Sequence, residues 1–434
     1  MSLSPAGMIN AYVPSDDVAL DPEDVALLAR RERVLGRAYR LFYERPFHPV
    51  RGEGCRLYDA EGNTYLDAYN NVASVGHCHP RVVAAIAEQA SRLNTHTRYL
   101  GDRVLDYAER LIATMPDAID RAMFTCTGSE ANDLAMRIAR HATGGTGIVV
   151  TETAYHGVTA EVAAFSPSLG PGVPLGAHVR TVAPPCEGDG AIFAARVADA
   201  FADLERHGIR PAAMICDTIF SSDGVYADPP GFLAAAVEAT RAAGALFVAD
   251  EVQPGLGRTG AGMWGFARHG IVPDLVTAGK PMGNGHPLAG LFGRSDLVDS
   301  FGSTARYFNT FGGNAVSCAA GLAVLDVIED EGLIENARAT GLRLLDGLAA
   351  LQRDHAGLGE VRGAGLFVGA EIVGASGPDA SAATRIVNGL RERRVLISAT
   401  GPGANVLKIR PPLVFGPREA DHLLESLADV LAGR

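Results

Sequence analysis

The chain has 434 residues, 47% of them hydrophobic and 51 of them glycine, enough for one large or two moderate domains of a soluble α/β enzyme rich in tight turns. Its formal charge of −12 argues against a nucleic-acid or anionic-membrane partner, while a local cationic pocket can still take a small anionic ligand. The six cysteines, Cys55, Cys78, Cys126, Cys186, Cys216 and Cys318, form no CxxC pair and are expected as reduced, mostly buried thiols. With neither a signal-like start nor a membrane-length apolar run, the expected location is the cytoplasm.

In chain order, residues 1–50 are charged and helix-prone, with basic positions at Arg30, Arg31, Arg33, Arg37 and Arg40. Residues 56–67 read as a hairpin turning at Ala60-Glu-Gly-Asn63. From about 80 to 295, short apolar runs alternate with amphipathic stretches. The runs predict strands at 122–126, 147–151, 178–182, 212–216, 245–250, 274–278 and 288–293, with helices such as 129–140 and 230–243 between them. That alternation builds a mostly parallel seven-stranded sheet covered on both faces, with ligands at the carboxyl ends of its strands. Beyond 315 the pattern changes to helices at 315–331 and 333–355, a strand over 361–372, a helix, two more strands and a terminal helix, a second domain of α+β type. The first residues lack a core of their own and are expected to join it. The domain scheme is therefore 1–75 and 315–434 for the small domain and 76–314 for the large one.

Four features fall at strand ends of the central region. Thr127-Gly128-Ser129-Glu130 opens a helix, so free backbone N–H groups and the Ser129 hydroxyl make a phosphate cradle. Asp250 ends a buried strand, where a carboxylate needs a cationic partner such as a protonated pyridine nitrogen. Tyr155-His156 is an aromatic pair suited to stacking on a planar ring. Lys280 lies just past the run Leu275-Val276. It is one of only two lysines, with Lys408, against thirty-six arginines, and only a lysine can lose its proton and form a Schiff base. Two decoys are set aside. Gly255-Leu-Gly-Arg-Thr-Gly260 matches a dinucleotide fingerprint but lacks the following helix and acidic residue, so NAD is excluded. His77-Cys78-His79 has no companion pair, so no metal is expected.

Jointly these motifs resemble the class III aminotransferase family, pyridoxal-phosphate enzymes of the aspartate-aminotransferase fold (type I). The shared segments are Gly76-His-Cys-His-Pro80, Gly128-Ser-Glu-Ala-Asn132, Tyr155-His-Gly157, Asp250-Glu-Val-Gln253, Gly279-Lys-Pro-Met-Gly283 and Thr310-Phe-Gly-Gly-Asn314. The resemblance implies that Lys280 carries pyridoxal phosphate as a Schiff base and later moves the Cα proton. It also implies that Asp250 pairs with the ring nitrogen and Gln253 reaches the ring hydroxyl, that Val252 and Tyr155, with His156 beside it, enclose the ring, and that Gly128 and Ser129 bind its phosphate. Thr310 is implied to reach the cofactor of a neighbouring subunit, hence at least a homodimer.

The cofactor permits both transamination and elimination, and the pocket chooses between them. Where the family usually places a carboxylate-binding arginine, this chain has Lys408 in Val406-Leu-Lys-Ile-Arg-Pro-Pro-Leu413, with Arg410 on the same strand face. A point charge in place of a bidentate fork suits phosphate better than a planar carboxylate. The family's usual Glu-Pro segment is also replaced, by Cys216-Asp-Thr-Ile-Phe-Ser-Ser-Asp-Gly224. The nearest resemblance is to the phospho-lyase branch acting on ethanolamine phosphate or phosphohydroxylysine. The expected reaction is therefore β-elimination from O-phosphoethanolamine, giving phosphate, ammonia and acetaldehyde, with Lys408, Arg410, Arg98, Asn71 and Tyr43 as the phosphate clamp. The alternatives are an ω-aminotransferase using pyruvate or another 2-oxo acid, and a non-catalytic pyridoxal-phosphate-binding protein.

Overall fold

The structure, a computed structural model, describes residues 8–15, 18–185 and 190–434. Cys186 lies outside the described residues; of the other cysteines, all free, Cys55, Cys216 and Cys318 are buried, Cys126 is half-buried and Cys78 is exposed. No helix among the described residues is long and apolar enough to cross a membrane.

The centre is a seven-stranded sheet of β1 (Arg121–Thr125), β2 (Gly147–Thr151), β3 (Val179–Val182), β4 (Pro211–Asp217), β5 (Leu246–Asp250), β6 (Leu275–Ala278) and β7 (Ala289–Gly293), in the order β1-β7-β6-β5-β4-β2-β3. The pairs β2–β3, β2–β4, β4–β5 and β5–β6 are parallel, and β7 runs antiparallel to both β1 and β6. The strands are continuous apolar runs because both faces are covered. Along β4, Met214 and Cys216 join one core cluster while Ala213 and Ile215 join another on the opposite face. Register sets Asp217 opposite Asp250 and Asp250 opposite Thr277, so one row of polar side chains ends three neighbouring strands.

The small sheet contains β8 (Leu358–Ala364), β9 (Phe367–Gly374), β10 (Ser398–Thr400) and β11 (Val406–Ile409), in the order β8-β9-β11-β10. The single strand expected over 361–372 is instead a hairpin. Gly363 (φ 147°) and Gly365 (φ 55°) take backbone conformations that reverse the chain, and a Cβ on Gly365 would stand 2.5 Å from the Arg258 carbonyl oxygen. The hairpin read at 56–67 is present, with Arg56–Tyr58 antiparallel to Thr64–Asp67. Thr64–Asp67 also pairs, in parallel, with Val395–Leu396, tying the N-terminal segment to the C-terminal one. The Gly255–Gly260 decoy is a run of turns packed on that part of the chain: a Cβ on Gly260 would lie 2.6 Å from the Arg338 backbone.

Candidate active site

A cavity of about 340 Å³ opens at the carboxyl ends of the central strands, lined by residues that include Gly128, Ser129, Tyr155, Asp250, Val252 and Lys280. Asp250, the last residue of β5, lies at this cavity almost fully buried. Its Oδ2 accepts hydrogen bonds from His156 Nδ1 (2.7 Å) and Asn132 Nδ2 (3.0 Å), and its Oδ1 accepts one from the Val252 N–H (3.1 Å). Burial pushes the carboxyl up, but the hydrogen bond and charge of His156, with the Asn132 and Val252 donors, hold it below the ordinary range. An ionised carboxylate is thus kept ready in a buried cavity. Asn132 is itself oriented by Thr277, whose hydroxyl donates to its Oδ1 at 2.6 Å.

Lys280 begins a short turn just past β6, with a φ of 27°, a conformation that costs a residue bearing a Cβ. Burial, then the nearby Arg410, bring its ammonium down to about 8, against the opposing pull of Asp250 and Asp217. A useful fraction of neutral amine is therefore present near neutral pH.

The cradle is built by the helix α1 (Gly128–Thr143). Its cap is Thr127, which exchanges hydrogen bonds with Glu130 in a capping box, so Ser129 is not the cap. That exchange uses the N–H groups of Thr127 and Glu130 and leaves those of Gly128 and Ser129 at the positive end of the helix. Ser129 Oγ accepts from the Val158 N–H at 3.1 Å, which fixes the hydroxyl while its proton stays available. Gly157 presses on Ser129: a Cβ there would sit 2.3 Å from Ser129 Oγ. Val252 packs against Gly128, and Tyr155, partly exposed, also lines the cavity.

Gln253 Oε1 accepts from Asn71 Nδ2 and from Arg410, each at 2.5 Å, so its amide nitrogen is the group left to face the cavity. Lys408 and Arg410 project from β11 and the residue after it. They are 8% and 6% exposed, and neither is in an ion pair among the described residues. Arg410 stacks on Tyr69 at 4.6 Å, and its Nε is buried with no partner.

None of the five expected clamp residues lines this cavity: Asn71 and Arg410 reach it through their hydrogen bonds to Gln253, Lys408 sits close to Lys280 and Arg410 without lining it, and Tyr43 and Arg98 turn elsewhere. The Tyr43 hydroxyl donates to the Ile397 carbonyl oxygen at 3.0 Å inside the core. Arg98 is exposed, lies 3.7 Å over the Phe308 ring and lines a different cavity. Thr310 is exposed and does not line this cavity. His156 lines the cavity and also reaches it through its hydrogen bond to Asp250. The His77 and His79 rings turn to different carboxylates, Asp67 and Glu331.

Sequence reading passed over Asp217, Asn132 and His286. Asp217 lines the cavity, with its two oxygens held by the N–H groups of Ile219 (3.0 Å) and Ser221 (3.1 Å); its position at the end of a predicted strand beside that of Asp250 was the available signal. His286 lines the cavity too and pairs with Ser317 Oγ at 3.0 Å.

The donor set fits pyridoxal phosphate. A buried anion matches the ring nitrogen, a helix start with free N–H groups and a hydroxyl matches the phosphate, and a depressed lysine matches the aldehyde. Val252 and Tyr155 supply walls for a flat ring.

Comparison with known proteins agrees with this fit. Residues 42–431 match the family model described as aminotransferase class-III. The chain is similar to an alanine–glyoxylate aminotransferase 2-like protein of Drosophila melanogaster, 39% identical over 92% of this chain and 86% of the relative. It is similar also to ethanolamine-phosphate phospho-lyase homolog 1 of Caenorhabditis elegans, 35% identical over 98% of both chains. Among solved structures, a phospholyase from Arthrobacter in complex with phosphoethanolamine superimposes with a TM-score of 0.91 at 44% identity, covering 94% of this chain and 100% of the other. The chain belongs to the class-III aminotransferase family and is a pyridoxal-phosphate-dependent enzyme of fold type I.

Proposed function

We propose that the enzyme is a phospho-lyase that eliminates phosphate from O-phosphoethanolamine, or a related phosphorylated amino alcohol, giving phosphate, ammonia and an aldehyde. The observation that carries this reading is the pair Lys408 and Arg410, buried next to Lys280 and free of any carboxylate ion pair among the described residues. Burying a cation costs several kcal/mol unless an anion joins it, on the order of the penalty for any unpaired buried ion. A dianionic phosphate supplies that anion. The names of the Arthrobacter structure and the Caenorhabditis relative support the same class of substrate.

Bound pyridoxal phosphate supplies an aldehyde that condenses with the substrate amine and a ring that accepts the electron pair of an adjacent C–H bond. The protein residues do the rest. Asp250, held ionised by His156 and Asn132, keeps the ring nitrogen charged. Gly128 and Ser129 hold the cofactor's phosphate, Val252 and Tyr155 enclose its ring, and Gln253 donates to its hydroxyl. The Lys280 amine, neutral once its proton is lost, would take the Cα proton. Lys408 and Arg410 hold the ester phosphate and neutralise charge that grows on it as the Cβ–O bond opens. Asn71 orients Gln253 and, through it, Arg410. A homodimer is part of the proposal: exposed Thr310 acts, on this reading, at the partner's cofactor.

The second reading, an aminotransferase using a 2-oxo acid, is favoured by the name of the Drosophila relative. One assay separates the two. Holoenzyme given O-phosphoethanolamine and no keto acid should release phosphate and acetaldehyde over many turnovers. Absence of release, with alanine formed from pyruvate and an amine donor, would overturn the lyase in favour of the transferase.

A further inference from the structure

Lys280 and Lys408 are the only lysines of a chain that carries thirty-six arginines; Lys280 is half-buried and lines the cavity, and Lys408 is buried close to it in one charged cluster. The charged groups acting on Lys408 are Arg410 on its own side, Asp217 at the end of β4, Asp223 in the turn that follows, and Lys280 itself. Asp223 accepts hydrogen bonds from the hydroxyls of Thr151 (2.8 Å) and Thr153 (2.5 Å), so its oxygens are already engaged. Lys408 Nζ lies 5.7 Å from the Phe367 ring centre, and no hydrogen bond among the described residues fixes it. If position 408 needed charge alone, arginine would meet the need, as it does at nearly every other cationic position of this sequence. What arginine cannot do near neutral pH is release a proton.

We infer that Lys408 is the general acid of the elimination, protonating the ester oxygen as phosphate departs. This rests on the phospho-lyase reading above. Without a proton, cleavage of the fully ionised ester expels a trianion; with one, it expels the hydrogen phosphate dianion. In the step, the Cα–H bond breaks with its proton going to Lys280 Nζ, and its electron pair forms the Cα=Cβ bond. The Cβ–O pair stays on oxygen, which takes a proton from Lys408 Nζ. Lys280 ends protonated and Lys408 neutral, so one proton passed between the two amines, directly or through water, resets both. Burial and the adjacent Arg410 push the Lys408 ammonium well below its ordinary range, which favours that release.

The test compares parent and Lys408→Arg holoenzymes on two esters and one ligand. O-phosphoethanolamine needs a proton on its leaving group, whereas O-sulfoethanolamine expels sulfate, which leaves unprotonated. Lys408→Arg should bind inorganic phosphate within about fivefold of the parent by calorimetry, because it keeps the charge. Its kcat for phosphate release should fall roughly 100- to 10,000-fold, the usual span of general acid catalysis, while sulfate release falls less than about fivefold. In Lys408→Ala, methylamine should restore phosphate release and methylguanidine should not. Equal losses on both esters, undiminished phosphate release by Lys408→Arg, or rescue by methylguanidine as good as by methylamine would each show a role in charge or packing and overturn the inference. A parent enzyme that releases no phosphate at all overturns the phospho-lyase reading itself, which is a separable result.

Discussion

Replacing His156 by phenylalanine separates stacking from hydrogen bonding at the cofactor seat. Phenylalanine keeps a flat ring in the same buried place and loses the Nδ1 donor that stands 2.7 Å from Asp250 Oδ2. A hydrogen bond to a charged group contributes about 1.5–3 kcal/mol, and about 1.4 kcal/mol is tenfold in a dissociation constant. If all of it reaches the cofactor through Asp250, the dissociation constant for pyridoxal phosphate rises about 10- to 150-fold. Asn132 still donates to the same oxygen at 3.0 Å, so the carboxylate keeps its place and the lower end of that range is expected. The sign with pH follows from the site. His156 is the chief group holding the Asp250 carboxyl down against burial, so its loss lets that carboxyl rise, and the affinity deficit grows as pH falls. Apoenzyme titrated with pyridoxal phosphate at two pH values gives the constants. Thermal unfolding of both apo forms checks the cost of the larger ring, about 1–3 kcal/mol where a core is overpacked. A dissociation constant within threefold of the parent, at both pH values, would refute the argument and leave His156 a stacking residue.

Covalent loading of the apoenzyme requires neutral Lys280, so its rate should rise with pH through a midpoint near 8 and level off above it. Arg410→Met removes a cation that disfavours the second charge and should move that midpoint upward; a parent midpoint near the ordinary lysine value of 10.5 would show that the amine is not desolvated. Gly157→Ala places a Cβ 2.3 Å from Ser129 Oγ at a φ of 140°, which costs roughly 1–3 kcal/mol if the chain does not yield. Affinity for pyridoxal phosphate should fall about tenfold or more while affinity for pyridoxal, which lacks the phosphate, changes little. Equal losses for both would remove Ser129 from the phosphate cradle.

The sheet was legible because its strands are buried on both faces and therefore appear as unbroken apolar runs between amphipathic helices. Their direction was not, since periodicity is the same for either sense; the reversal of β7 has no mark in its own residues. The 361–372 stretch reads as one strand because apolar residues recur along it, and only the spacing of Gly363 and Gly365 hints at a turn. At the site, Lys280 and Asp250 stood out as charged residues directly after apolar runs. Asn132 and Asp217 did not, because their place depends on register and on a helix packing under the sheet. For Tyr43 and Arg98 the sequence does not say which way the side chain turns; a core carbonyl and a phenylalanine ring take them.

The parallel pairing of Thr64–Asp67 with Val395–Leu396 joins segments about 330 residues apart in sequence. During synthesis, the first seventy residues must wait for almost the whole chain before they find that partner strand. The large sheet, with Lys280, Asp250 and the helix start that fits phosphate, is complete in sequence by Gly293, so the cofactor's seat precedes the residues that would act on the leaving group. The last strand to emerge, Val406–Ile409, carries Lys408. On the phospho-lyase reading, the enzyme's choice of reaction is made by the last strand in its sequence.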